Sequence, residues 1–126
     1  MKLQVSVGEA IDKYTILQIK SEKIKDEAKL INIVYEKNLI AIELNEHGYL
    51  HKFDTYIKEL KTINETLWDI EDKIRDKELN KSFDFEFIEL ARSVYITNDK
   101  RFEIKNKINQ ENNSLIKEEK SYAKYS

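Results

Sequence analysis

"NETLWDIEDKIRDKE", residues 64–78, decides how this chain folds. The stretch holds six acidic side chains, three basic ones and the only tryptophan. Coiled at 3.6 residues per turn, it sorts into three stripes. Leu67, Ile70 and Ile74, continued backward by Ile63 and Leu60, recur at three- and four-residue intervals and must be buried. Glu65, Asp69, Asp72 and Asp76 share one line, where each adjacent like pair opposes helix formation by about a few tenths of a kcal/mol. Trp68, Glu71, Arg75 and Glu78 form the third stripe, with Glu71 four residues before Arg75 in the order that favours an intrahelical pair. A solvated surface needs no such sorting, so a long amphipathic helix is expected from about Thr55 to Leu79.

Outward from this helix, the composition favours more of the same. The chain has no proline and only two glycines, Gly8 and Gly48, so its ordered elements should be few and long. Charged residues are 37% of the 126, yet they nearly cancel to −2, and with periodic apolar positions this describes one folded domain rather than a disordered chain. Basic and acidic residues interleave, which disfavours nucleic acid and membrane surfaces as partners. No apolar run approaches the ~20 residues of a membrane span. The N-terminus lacks the succession of a signal peptide, so a cytoplasmic location is expected. With no cysteine, disulfides, thiol catalysis and Cys-based metal sites do not arise.

Before the opening stretch, "KLQVSV" alternates Leu3, Val5 and Val7 with polar residues. This is the period of a short strand, which would need a partner edge or would lie extended over a helical layer. "SVGE" then reads as a capping box, Ser6 starting a first helix near Val7 whose apolar positions are Ile11, Tyr14, Leu17 and Ile24, widened by Ile16 and Ile19. Asp26 is an N-cap for a second helix with Leu30, Ile33, Val34, Ile40, Ala41 and Leu44 as its stripe, ended by Gly48. After it, Asp84 caps a last helix, Phe83 is placed to staple onto Ile88, and the seam runs Phe87, Leu90, Val94, Thr97, Arg101, Ile104, Ile108 and Leu115. That helix would approach 35 residues. The expected fold is all-α, an antiparallel bundle of three to four long helices in a single domain spanning 1–126, with residues 1–7 extended and 119–126 a C-terminal tail.

An arginine in a seam requires a partner, because a buried guanidinium is costly unless paired and hydrogen-bonded. Residues 64–78 sum to −3 and 97–107 to +2, so these two helices are expected to face each other. The candidate polar site is Trp68, Glu71, Asp72 and Arg75 from one, with Glu89, Arg92, Asn98, Asp99, Arg101 and Lys105 from the other. The expected role is an interhelical salt-bridge network that fixes register or a subunit interface. The alternative is a pocket for a small anionic ligand, phosphorylated or sugar-derived, with arginines holding the anion and a carboxylate acting as base or magnesium ligand. No catalytic motif is recognisable and no cofactor is expected, magnesium arising only under that alternative. His47 and His51 are four apart but flank Gly48 in a turn, so two loop histidines are expected there rather than a metal pair. A homo-oligomer, most simply a dimer, is expected from the unpartnered N-terminal segment and the surplus of apolar helix surface.

At "QVSVGEAIDKYTILQIK", "KLINI", "LWDIEDKIRDKE", "FIELARSVYITNDKRFEIKNKIN" and "EEKSY" the chain resembles the uncharacterised bacterial domain-of-unknown-function family 6165. The resemblance spans nearly the whole chain and implies no activity. Two enzyme families with helical folds fit less well. Glu86 and Glu89 lack the rest of the acidic pattern by which all-α nucleotide pyrophosphohydrolases hold magnesium, and the first helix lacks the basic residues of a helical chorismate mutase pocket.

Overall fold

The structure, a computed structural model, describes residues 2–113. Among these residues five helices follow one another: α1 Val7–Lys23, α2 Glu27–Glu46, the single turn α3 Tyr49–Lys52, α4 Asp54–Leu79 and α5 Phe85–Glu111. Three of the starts are capped as side-chain chemistry dictates. Ser6 Oγ accepts from the Glu9 amide at 3.1 Å, Asp26 Oδ1 from Lys29 at 3.0 Å and Asp84 Oδ1 from Phe87 at 3.0 Å. Gly48 turns the chain after α2 at φ 73°, a conformation that costs glycine little.

α4 and α5 form a long antiparallel hairpin, and α1 lies in its groove, antiparallel to α5. Ile11 from α1, Ile57 and Leu60 from α4, and Ile104 and Ile108 from α5 make the common core, closed at one end by Phe53 and Leu44. α2 folds back onto α1 and does not run alongside α4 or α5. α1 has 17 residues, about 25 Å of helix, against 26 residues and about 39 Å for α4. Lys23 at its end lies 4.0 Å from Asp69, so the last turns of α4 and the first of α5 continue past it. No helix among the described residues is long and apolar enough to cross a membrane.

Four expectations need correction. Of the two arrangements expected for the N-terminal segment, the paired strand does not occur among the described residues: residues 2–6 line a groove beside Leu44, His47 and Tyr49, with Ser6 extended and Leu3 and Val5 exposed. α5 ends at Glu111, where Asn113 adopts φ 53°, short of the expected 35 residues; Leu115 and the tail at 119–126 lie outside the described residues. Phe83 packs edge-on against Phe87, centroids 5.2 Å apart, rather than stapling onto Ile88, and both Phe83 and Ile88 stay exposed. The stripe of α2 is narrower than its sequence suggested. Leu44 is buried and Leu30, Ile33, Ile40 and Ala41 are half-buried, while Val34, at the margin of the stripe, is exposed.

Candidate functional site

On α1, Gly8, Asp12, Thr15 and Ile19 follow a four-three-four spacing and face the hairpin. Gly8 sets the separation of α1 from α5: a Cβ there would sit 2.5 Å from the Lys105 carbonyl oxygen, so only glycine permits this approach. Close contact in turn lets Asn109 Oδ1 accept the Gly8 amide at 2.7 Å, satisfying a first-turn donor that has no partner within its own helix.

One turn on, the Asp12 side chain is completely buried. Arg101 grips its carboxylate with two parallel bonds, Nε to Oδ1 at 2.9 Å and Nη2 to Oδ2, the bidentate geometry that makes such pairs strong. Asn64 Nδ2 donates to Asp12 Oδ1 and to Thr15 Oγ1, each at 2.9 Å, and Thr15 Oγ1 donates to the Asp12 carbonyl at 2.7 Å. Lys105 Nζ donates to Glu9 Oε2 at 2.7 Å and lies 3.7 Å from Asp12 Oδ2. Two acids on α1 thus meet two bases on α5, with α4 contributing the amide of Asn64. The four charges cancel, as a buried layer requires.

Beside this layer, α1, α4 and α5 enclose an open cleft of about 510 Å³. Ile16, Ile19 and Leu67 supply apolar wall, and Trp68, Glu71, Asp72, Arg75, Asn98 and Arg101 the rest, over Asn64. Six of the ten residues singled out from sequence therefore share one cleft, and Lys105 joins the layer beneath it. The seam arginine, however, finds its carboxylate on α1 and not on the acidic face of α4. Glu71 and Arg75 pair within their own helix at 3.8 Å, both well exposed. Glu89 and Arg92 likewise pair with each other at 3.3 Å on the outside of α5, and Asp99 is half-buried outside the cleft lining. A hydrogen bond with Tyr95, then the Glu89 charge, raises the Arg92 pKa further.

Asp12, Glu9, Thr15, Asn64 and Asn109 escaped sequence reasoning. The one available signal was the small-polar spacing Gly8, Asp12, Thr15 beside the apolar stripe of α1, which marks a second buried seam. Elsewhere, charge pairing is peripheral. Hydrogen bonds from Lys77 and from the Phe87 amide hold the Asp84 carboxyl below its ordinary pKa, and the hydrogen bonds that Lys77 donates to Asp84 and Glu86 raise the Lys77 pKa in return. His47 stacks on Tyr49 at 5.1 Å and lies 3.6 Å from Glu43. Among the described residues no three His, Cys, Asp or Glu side chains are grouped to hold a metal ion.

A family model matches residues 1–125, the whole region in which the layer and cleft are built. The chain belongs to DUF6165, a family of unknown function. No curated protein and no solved structure matches it. Both ends of the Asp12–Arg101 pair lie within the matched residues.

Proposed function

We propose that this DUF6165 protein is a cytoplasmic helical assembly module that self-associates through the outer face of α2, its buried charged layer fixing how the other helices pack. The observation that carries this reading is the composition of α2. Its inner side packs on α1, yet its outer side presents Ile31, Tyr35, Leu39 and Ile42, with Val34 at the margin, all exposed. A helix apolar on both sides is one that is covered on both sides, and large contiguous apolar patches on a protein surface mark interaction sites.

The Asp12 layer supports the same reading, because its polar groups are spent on one another. An anionic ligand in the adjoining cleft would compete with Asp12 for Arg101 and with Glu71 for Arg75. Specifying helix register is the best-attested use of such a buried network.

Sedimentation velocity from micromolar to several hundred micromolar protein tests the proposal. Wild type is expected to self-associate across that range, while Ile31→Lys and Ile42→Lys remain monomeric with unchanged helical circular dichroism. A wild type that stays monomeric throughout sinks the reading.

A further inference from the structure

The outer face of α2 also carries a pattern that specifies its partner. Its central line is Ile31, Tyr35, Asn38 and Ile42, spaced four, three and four, and all four side chains are exposed. Reversed, the line has the same spacing. Laid antiparallel on a copy of itself, with residues i and j opposite when their numbers sum to 73, it sets Ile31 against Ile42 of the second copy and Tyr35 against Asn38, each pair occurring twice. The Asn38 amide can donate to or accept from the Tyr35 hydroxyl, so the one polar position in the line gains a matching group. A single polar residue in an otherwise apolar seam fixes register at some cost in affinity.

Resting on the assembly reading, we infer that the partner covering α2 is a second copy of this chain, its α2 antiparallel to the first about a two-fold axis between residues 36 and 37. Such isologous contacts are the commonest route to a dimer. The helix dipoles select the direction. No charged residue interrupts the line between Glu27 and Glu46, although 37% of the chain is charged. A parallel pair would place Glu27 beside Glu27 and Glu46 beside Glu46, with both helix dipoles aligned. The antiparallel pair opposes the dipoles. One like-charge contact survives at each end, Glu27 facing Glu46, so added salt is expected to tighten association. A single helix pair about 30 Å long is a small interface, of the size class that holds weak and transient associations.

The absence of cysteine makes the geometry directly readable by disulfide trapping of the full chain. Ile31→Cys and Ile42→Cys are purified separately, checked for helical content, and oxidised alone and mixed. Facing Cα atoms on paired helices fall within disulfide reach, whereas residues 31 and 31 of the two copies stand about 16 Å apart along the axis. The expected result is a covalent dimer in the mixture and neither variant cross-linking alone. Each variant cross-linking alone establishes a parallel pair and overturns the inference. Wild-type association without any cross-link overturns it too, leaving the assembly reading to another surface. A monomeric wild type at all concentrations overturns both, assigning the face to another segment of the chain or to a different protein.

Discussion

Between α1 and α5, Glu9, Asp12, Arg101 and Lys105 lie about a turn apart on their helices, and the hydrogen bonds they make to one another run at 2.9 Å or less. On the outer turns of α4, Glu71, Asp72 and Arg75 carry nearly the same chemistry, yet the Glu71–Arg75 approach is 3.8 Å and both side chains are at least half exposed. The difference is one of medium. Two charges at 4 Å interact by about 1 kcal/mol in water and several times that where effective dielectric is low, but only the buried pair also has a desolvation cost to recover. The number of charges in a segment therefore says little about where the energy of holding the fold lies; the satisfaction of the buried ones says much.

The sharpest way to break this contrast is Asp12→Ala. Removing the carboxylate leaves Arg101 and Lys105 facing each other without their common partner, a loss of about 3–5 kcal/mol for a buried pair, toward the lower end because Arg101 still reaches water. Urea unfolding measures it. Asp12→Leu combined with Arg101→Met should recover most of that loss, since a well-packed apolar pair can replace a buried ionic one. A loss below about 1 kcal/mol for Asp12→Ala would put the layer on a par with an exposed pair and end the comparison.

Gly8→Ala comes next, and its sign is the test. In an unencumbered helix the change gains up to about 1 kcal/mol. Here the new methyl would meet the Lys105 carbonyl at 2.5 Å, so α1 must lift from α5, with a net loss of about 1–3 kcal/mol. A stabilised variant would show that the layer does not depend on the close approach of the two helices.

Much of the fold was legible because it rests on local rules. Ser6, Asp26 and Asp84 cap three helices as their side chains predict, and the three-four spacing of Leu60, Ile63, Leu67 and Ile70 marks the side of α4 that is buried or half-buried. Arg101 was legible as a residue needing a partner, since it interrupts a seam. The partner was not, because a carboxylate's burial is a tertiary property: Asp12 stands between Ile11 and Lys13 like any surface acid, whereas the acids of α4 attract notice by number. α2 misleads for a related reason. Being apolar on two sides, it offers no single stripe, and Val34 reads as core although it stands at the margin between them.

At the distal end of the hairpin the contrast predicts a local and pH-dependent effect. The folded pKa of Asp84 is depressed, first by Lys77 and then by the Phe87 amide, so its contribution is present above the ordinary value of 3.8 and is lost as pH falls through the lower folded value. Protection of the amides at residues 85–88 against hydrogen exchange, taken relative to the intrinsic rate at each pH, should fall below about pH 4, ahead of protection in the middle of α5, where Arg101 and Lys105 are held from α1. Simultaneous opening of both regions would mean that the end cap and the buried layer belong to one cooperative unit.

The smallest effect is expected where the sequence looked most eventful. Glu71→Gln, Asp72→Asn and Arg75→Ala should each change stability by less than about 0.5 kcal/mol, as exposed positions do. A double-mutant cycle on Glu71 and Arg75 should give a coupling of about 0.3 kcal/mol that fades in molar salt, because each side chain has water as an equal alternative partner. The matching cycle on Asp12 and Arg101 should give several times that coupling and keep it in salt, since screening ions cannot enter the layer. Comparable, salt-sensitive values from both cycles would mean that water reaches Asp12. A large value at Glu71 would instead mean that the cleft beside Trp68 is covered in solution, and that its charges are held as firmly as those beneath it.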